Sequence, residues 1–430
     1  MYQISKQLTQ HTPIIHFQHE QIGVNLRSSE VKPKLDKHIL GILGGEDVVR
    51  AKHPEWFVST KHSALAYRLV IEPSKELDYY IPMPIKLPNY RDNNRQGNLI
   101  DFYSQEMNLE VKVLAPSPYF GNSDKVKFKY KSDVIDVEKS KIEELRIAIQ
   151  EKQSIGIHIY SLSKELIDTI QDYFNSFWVG HNFGTRQNKG FGCYQPIDLE
   201  DEHIVEELNK HPDITGIFRV SQGGSSAKKF EYINDIYGKL KRGVNLNNNY
   251  SKSLLWDYLK IKKSYNWEKR KIKEFLIKQD RRLFDSLKYE THVHRVETNE
   301  LPDDNYYYIR ALLGLAENYE FRKSERGKLV VKISDSSKGD SNYKDSIERF
   351  KSPIRFYCTP RNIYITTTDI PDELINQRDN QGNISRREFK FSVSELRRNS
   401  DFTLQIPEGF DVADFISYTN LFGPNLITNS

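Results

Sequence analysis

The order of strand-like and helix-like segments in the first half of the chain constrains its fold more than any other feature. A short apolar strand is predicted over Thr12–Gln18, and apolar residues at helical spacing follow it as far as Gly41. Strand-like runs fill much of the segment from Ala64 to Lys131. The run "SIGIHIYSL" then precedes a helix capped by Ser163, and a glycine-rich loop leads from that helix into a last strand. This βαββαβ-like order predicts an α+β fold.

The length of the chain and the second half of the sequence predict a duplicated organisation. A chain of 430 residues favours two domains, and strands and helices return in the second half. We therefore predict two ferredoxin-like or RRM-like domains in tandem, over residues 1–205 and 206–430. Two helical insertions are predicted, a charged helix over Val137–Gln153 and a long basic helical region from Lys252 to Leu287. We interpret the rings of the basic region as core residues and its lysines as RNA or partner contacts.

Charge, cysteine content and hydropathy limit the class of protein. The net charge of +4 averages 63 basic and 59 acidic residues, so local clusters rather than the total bear on an anionic partner. Cys193 and Cys358 lie far apart in the sequence without CxxC spacing, which predicts buried free thiols and neither a zinc site nor a disulfide. The N-terminus has no apolar signal segment, and no apolar run approaches the roughly 20 residues that span a membrane. These features predict a cytoplasmic protein without a metal, a cofactor or a membrane partner.

The loop "GTRQNKGFG" lies between the second helix of the first half and its last strand. Its position and its glycine spacing exclude a dinucleotide fingerprint and a P-loop. Side chains between the glycines, together with exposed N–H groups, would form a concave donor surface for phosphate and sugar oxygens. The candidate RNA-binding residues of the loop are Gly184, Thr185, Arg186, Gln187, Asn188, Lys189, Gly190, Phe191 and Gly192. The alternative is that the glycines merely permit positive φ in a tight connection.

A second set of candidate RNA-binding residues lies where the first strand meets the first helix. It comprises Arg27, Ser28, Ser29, Lys32 and Lys34. Either serine could cap the helix and also donate to a phosphate. If the βαββαβ-like order holds, this junction and the glycine loop could converge on one face. The alternative is an ordinary solvated basic helix end.

Four segments of the sequence resemble motifs of one protein family. The loop "GTRQNKGFG" is similar to the glycine-rich loop of the RAMP superfamily, the repeat-associated CRISPR proteins. The segment "GVNLRSSEVKPKL" resembles the signature of that family's first helix. Nearer the C-terminus, "LLGLAENYEF" and "ERFKSPIRFY" resemble segments of the large two-RAMP subunit of type III-B (Cmr) effectors. In these relatives the loop belongs to a ferredoxin-like domain that binds guide RNA.

The resemblance implies a non-catalytic RNA-binding subunit of a CRISPR ribonucleoprotein in antiviral defence. Such a subunit would hold guide RNA, or the guide–target duplex, by its backbone and would contact other effector subunits. The alternative is a metal-independent endoribonuclease that processes guide precursors by general acid–base chemistry. Its candidate residues are the four histidines near the proposed RNA face, His11, His16, His19 and His38. A third possibility is a scaffold subunit whose basic surface meets acidic proteins.

Overall fold

The computed structural model divides the chain into two compact units. One comprises Met1–Ile236, Arg355–Thr367 and Phe422–Ser430, and the other comprises Tyr237–Ile354 and Thr368–Leu421. The structure describes residues 1–16, 25–82, 108, 110–114, 129–131, 134–136, 147–246, 249–287, 305–315, 318–324, 327–335, 350, 352–378, 381–393, 395–396 and 400–427.

Up to residue 196, strands and helices alternate along the first unit. In chain order the elements are β1 (Tyr2–Gln10), α1 (Ser28–Ile42), α2 (Glu46–Lys52), a 3₁₀ turn (Pro54–Trp56), β2 (Phe57–Ser59), β3 (His62–Leu65), β4 (Tyr67–Glu72), β5 (Leu77–Pro82), β6 (Val111–Leu114), β7 (Lys129–Lys131), β8 (Val134–Asp136), β9 (Ala148–Glu151), β10 (Ile155–Ser161), α3 (Lys164–Asp172), α4 (Phe174–Gly180) and β11 (Tyr194–Pro196). The α+β class predicted from the sequence agrees with this mixture.

The remaining elements continue through both units. They are a 3₁₀ turn (Asp201–His203), α5 (Ile204–Asn209), β12 (Gly216–Ser221), α6 (Ser226–Lys241), β13 (Val244–Leu246), β14 (Asn249–Ser251), α7 (Leu254–Lys263), β15 (Asn266–Trp267), α8 (Glu268–Gln279), α9 (Arg281–Asp285), β16 (Tyr306–Tyr307), a 3₁₀ helix (Ile309–Leu313), β17 (Asn318–Arg322), β18 (Lys328–Asp335), β19 (Ile354–Cys358), β20 (Asn362–Thr367), α10 (Asp372–Ile375), β21 (Asn376–Arg378), β22 (Ile384–Arg386), β23 (Glu388–Val393), β24 (Asp401–Gln405) and α11 (Val412–Tyr418).

Two sheets organise the first unit. Strands β11, β1, β10 and β4 form an antiparallel sheet in that order, and β12, β20 and β19 form a second sheet. The core beside the four-stranded sheet includes Ile39 of α1, Ile157 of β10 and Ile170 of α3, each fully buried. Apolar residues at helical spacing on α1 and α3 provide this packing, as the sequence predicted.

The first strand of the chain was placed wrongly by the sequence analysis. Strand β1 spans Tyr2–Gln10, whereas Ile14 makes just an isolated bridge with Ile149 and residues 17–18 lie outside the described part of the chain. Strand β1 turns few apolar side chains inward, Ile4 and Leu8 among them, and its N–H and C=O groups pair with β10 on one side and β11 on the other. Hydrophobicity alone therefore favoured the wrong segment.

One of the two predicted helical insertions is also corrected. The segment 148–151, predicted as the end of a charged helix, is strand β9, which pairs with β5, while 137–146 lie outside the described residues. The basic region is helical, as predicted, and consists of three helices, α7 to α9. Trp256, Tyr258 and Trp267 are buried, which confirms that the rings of this region belong to a core.

The second unit is built around its own antiparallel sheet. Strands β17, β18, β23 and β24 form it in that order. Arg387 and Asp335 make a buried ion pair within this unit, in which Nε of the arginine donates to Oδ2 of the aspartate at 2.8 Å. Among the described residues of the chain, no helix has the length and apolar character needed to cross a bilayer.

Removing the Ser163 cap should lower the free energy of unfolding by about 1 kcal/mol. The Oγ of Ser163 accepts a hydrogen bond from the Leu166 N–H at 3.2 Å and so pairs one donor of the first turn of α3. Ser154→Ala is the control, because the Ser154 hydroxyl bonds an exposed side chain, that of Gln7. Urea denaturation should separate Ser163→Ala from this control, which we expect to stay within about 0.5 kcal/mol of wild type. Equal stability of the two variants would contradict the capping role.

Candidate nucleic-acid interface

The glycine loop connects α4 to β11 and is held in a conformation that requires its glycines. Gly184, Gly190 and Gly192 have φ of +77°, +83° and +64°. A Cβ on Gly192 would lie 2.2 Å from the Phe183 carbonyl oxygen, and one on Gly184 would lie 2.5 Å from the Ile15 carbonyl oxygen. Positive φ and close approach of two backbone segments therefore both explain these glycines.

The main chain of the loop is largely occupied by internal hydrogen bonds. The N–H groups of Gly184, Thr185, Lys189, Gly190 and Gly192 donate, respectively, to Glu30 Oε1 at 2.7 Å, Ile15 O at 2.7 Å, Arg186 O at 2.8 Å, Gln187 O at 3.2 Å and Pro13 O at 3.0 Å. The prediction that an open main chain would bind the ligand is therefore wrong for these five residues. Buried N–H groups need partners, and residues 13–15 supply two of them instead of forming a strand.

Lys34 joins the first helix to the glycine loop. Its Nζ lies 3.1 Å from Gln187 Oε1, from the Asn182 carbonyl oxygen and from Glu30 Oε1. Burial lowers the pKa of Lys34, and the Glu30 carboxylate opposes this shift. The two predicted sets of residues thus meet at Lys34, together with an acid, Glu30, that the sequence analysis did not identify.

The other residues of the helix junction are placed differently from Lys34. Arg27 is the N-cap residue of α1, and it makes no side-chain cap bond, so the prediction of a serine cap is wrong. Ser28 and Ser29 begin the helix, and Ser29 is exposed. Lys32 donates to Asp36 at 3.0 Å and to the Leu65 carbonyl oxygen at 2.8 Å, and it lies over the Tyr67 ring. Lys32 therefore anchors α1 to β3 and β4.

The side chains of the loop divide into a surface set and a core residue. Thr185, Arg186, Gln187, Asn188 and Lys189 are each partly exposed. Phe191 is fully buried, and its ring stacks on Phe230 with centroids 4.1 Å apart. Phe191 therefore belongs to the core, while the polar side chains 185–189 are half-buried, and Arg186 Nη1 and Lys189 Nζ are themselves buried.

Arg355, on β19, is a residue of this site that the sequence analysis missed. Its side chain is buried, Nε donates to Thr366 Oγ1 at 3.1 Å, and within the described residues neither Nη1 nor Nη2 has a hydrogen-bond acceptor. The next residue, Phe356, pairs with the loop, since its N–H donates to Asn188 O at 3.3 Å and its carbonyl accepts from Asn182 Nδ2 at 2.8 Å. Burial lowers the pKa of Arg355 to about 10, and its charge in turn lowers the pKa of Lys34. A buried cation without a carboxylate partner favours an anion nearby.

Three histidines from distant parts of the sequence meet near Arg355. The ring centroids of His38, His181 and His211 lie 5.0 to 5.5 Å apart, and their nitrogens are close enough for a metal ion. However, His211 Nδ1 accepts the Asp213 N–H at 3.2 Å, which leaves the proton of the neutral ring on Nε2. Burial and the Arg355 charge lower the pKa of His38 to about 4. These features fit packed neutral rings better than ligands of a divalent cation.

Of the histidines proposed for catalysis, His16 and His38 are buried, and His11 is half-buried. His11 bonds Gln195 at 2.9 Å, His16 is buried, and His38 bonds the Ser176 hydroxyl at 2.9 Å. Burial lowers the pKa of all three. His19 lies outside the described residues.

The two cysteines are free and buried, as predicted, but they are neighbours in space. The Cys358 N–H donates to Cys193 Sγ at 3.3 Å. Their separation by 165 positions hid this contact from the sequence analysis. The pair fastens β19 to the segment that follows the glycine loop.

The motifs, the α+β architecture and the loop that faces the first helix place the chain in the RAMP class of CRISPR proteins. The family model of the Cmr1 N-terminal domain matches residues 1–244, and that of the Cmr1 C-terminal domain matches residues 250–428. The chain belongs to the Cmr1 family, a family of subunits of type III-B CRISPR effector complexes.

A solved structure is also similar to this chain. The crystal structure of Cmr1 from Pyrococcus furiosus in its apo form is 10% identical, covers 90% of this chain and 94% of its own, and has a TM-score of 0.34. No curated protein matches the chain.

Proposed function

We propose that this protein is a non-catalytic RNA-binding subunit of a type III-B effector in antiviral defence. It holds the sugar–phosphate backbone of guide RNA, or of the guide–target duplex, on the face made by the loop side chains 185–189 and the start of α1. The side chains rather than the main chain of the loop provide the donors. Contacts to phosphates without base readout suit a subunit that accepts guides of many sequences.

The observation that carries the proposal is the excess of cations beside the loop. Lys34 is paired with Glu30 and also donates to the oxygens of Asn182 and Gln187, whereas Arg355 has two nitrogens without a protein acceptor within the described residues. Arg186 and Lys189 lie on the loop itself and are half-buried, with Arg186 Nη1 and Lys189 Nζ shielded from solvent. A phosphate in front of the loop would lower the energy of these charges.

The tandem arrangement of ferredoxin-like domains, residues 1–205 and 206–430, remains part of the proposal. The strand order β11, β1, β10, β4, with helices after β1 and after β10, supports it for the first half. In the second half, β12, α6, β19 and β20 follow one another, although long insertions separate some of them. The Leu426 N–H donates to the Ile217 carbonyl oxygen at 2.7 Å, so a last segment lies beside β12, opposite β20. This order resembles that of a βαββαβ unit up to its second helix.

The test replaces Arg186 and Lys189 together by glutamine, which removes two charges and keeps similar side-chain lengths. We expect RNA affinity to fall about tenfold for unrelated sequences. The slope of log affinity against log salt should fall by about 1.4 for single strands, because each phosphate contact contributes about 0.7. The control replaces two exposed lysines away from the loop, Lys61 and Lys75, in the same way. If the loop variant keeps its affinity and its salt slope, the loop serves as a turn.

One experiment distinguishes the alternative, a metal-independent endoribonuclease, from the non-catalytic role. The purified protein is incubated with repeat RNA in EDTA, and the RNA is resolved on a denaturing gel. We expect no discrete product, since His16 and His38 are buried and the ring of His11 is held by a hydrogen bond with Gln195. Discrete cleavage that His11→Gln, His16→Gln or His38→Gln abolishes would overturn the non-catalytic role.

A further inference from the structure

A cavity of about 590 Å³ lies at the start of helix α6, within the first unit, and none of the described glycine-loop residues lines it, although Phe191 of that loop stacks on Phe230 of the same helix. Its polar lining includes Gln10, His11, Lys112, Ser225, Ser226 and Lys229. Lys112 is paired with Asp78 at 2.9 Å, and the Ser226 hydroxyl donates to the His11 carbonyl oxygen at 3.3 Å. The cavity is therefore polar, and one of its walls is the N-terminal turn of a helix of 16 residues.

Lys229 distinguishes this cavity from an ordinary surface hollow. The residue is 3% exposed, and its ammonium group makes no hydrogen bond or ion pair with any residue that the structure describes. Burial lowers its pKa, while the nearby Asp201 carboxylate acts in the opposite direction. The side chain is buried while its ammonium group opens onto the cavity, so an anion in the cavity would be its partner of opposite charge.

The sequence around Lys229 repeats a pattern of the first half of the chain. Ser225-Ser226-Ala227-Lys228-Lys229 and Ser28-Ser29-Glu30-Val31-Lys32 share the pattern Ser-Ser-x-x-Lys at a strand-to-helix junction. In the first copy Lys32 is bound to Asp36, whereas in the second copy Lys229 faces the cavity. The positive dipole end of α6 favours an anion in the same place.

We propose that this cavity is a second phosphate-binding site, in which Lys229, Ser225 and the first turn of α6 hold a phosphate group. The phosphate belongs to an RNA strand or to a free nucleotide. The site is independent of the glycine loop, so it extends the proposed function without relying on it.

The test compares Lys229→Met with Lys228→Met in the full-length protein. Lys228 is the adjacent lysine on the same helix and is exposed, so it matches the change in charge and size. Two probes are used, a single-stranded RNA of about 20 nucleotides, long enough to span several contacts, and AMP. We expect Lys229→Met to weaken one of them about tenfold and Lys228→Met to leave both within about twofold. Loss of RNA affinity assigns the phosphate to a strand, and loss of AMP affinity assigns it to a free nucleotide.

Thermal melting separates a binding role from a structural one. Because methionine removes an unpaired buried charge, Lys229→Met should melt at the same temperature as wild type or above it. The proposal is overturned if both probes bind the two variants equally well, or if Lys229→Met loses affinity together with a lowered melting temperature. The double glutamine variant of Arg186 and Lys189 is measured with the same RNA and tests the glycine loop alone. A loss of affinity in one variant and not in the other therefore shows which of the two sites binds the RNA.

Discussion

Replacing Gly192 by alanine is expected to lower the free energy of unfolding by about 3 kcal/mol. Two costs add, because φ at Gly192 is +64° and a Cβ there would lie 2.2 Å from the Phe183 carbonyl oxygen. The left-handed conformation costs an alanine about 1 kcal/mol. Relief of the overlap costs about 2 kcal/mol more, as in other overpacked sites. Phe183 cannot move away freely, since its N–H donates to the Gly192 carbonyl oxygen at 3.0 Å and its ring is buried.

Gly409→Ala separates the two costs. Gly409 has a nearly equal φ of +61°, and a Cβ on it would meet no atom within 4 Å. This control should therefore lose about 1 kcal/mol, the conformational part alone. Urea denaturation followed by circular dichroism measures both variants against wild type. Equal losses in the two would mean that the backbone contact between Gly192 and Phe183 contributes nothing to stability.

Local signals in the sequence predicted the elements that depend on local physics. The apolar spacing of α1 and α3, the Ser163 cap and the alternation in β10 all correspond to observed elements. Strand β1 escaped prediction because its pairing partners, rather than its own hydrophobicity, define it. Hydrogen bonding to a strand on each side stabilises β1 although its sequence is polar. Only the tertiary structure brings those two partner strands, β10 and β11, beside it.

The candidate site was predicted in part, for the same reason. The meeting of Lys34 with the glycine loop follows from the order of elements. Arg355 could not be placed there, since 165 or more positions separate it from the loop residues that it neighbours, as they separate Cys358 from Cys193. One signal was available, because Arg355 lies within the family-like segment "ERFKSPIRFY".

Because the N–H groups of the glycine loop are occupied by internal hydrogen bonds, the proposed binding of RNA depends on the side chains of the loop. Its hydrogen bonds to residues 13–15 and to Glu30 hold the backbone in one shape, so the side chains 185–189 are carried by a rigid frame. A rigid frame lowers the entropic cost of binding a phosphate backbone. The glycines are therefore needed for the shape of the loop, while in the proposed function its charges provide the affinity for RNA. Gly192→Ala and the double glutamine variant should accordingly affect different quantities, stability in the first case and salt-dependent binding in the second.

Acid should destabilise the protein through His38 by about 3 kcal/mol between pH 7.5 and pH 4. The pKa of His38 is lowered from 6.5 to about 4, first by burial and then by the charge of Arg355. Below pH 6.5 the unfolded chain takes up a proton that the folded protein takes up only near pH 4, so stability falls with pH over this window. His181 and His211 pack against the same ring, and burial lowers the pKa of His181 in the same direction.

Comparison of His38→Gln with wild type isolates this contribution. The variant should lose about 3 kcal/mol less between pH 7.5 and pH 4 than wild type does, when free energies of unfolding are measured in urea. The carboxyl of Glu151, whose pKa burial raises to about 7, contributes with the opposite sign in both proteins and cancels. His62→Gln, at an exposed histidine, should keep the wild-type pH dependence. If His38→Gln and His62→Gln follow the wild-type curve equally, then the ring of His38 is charged in the folded protein and the cluster around Arg355 cannot be the neutral core described above.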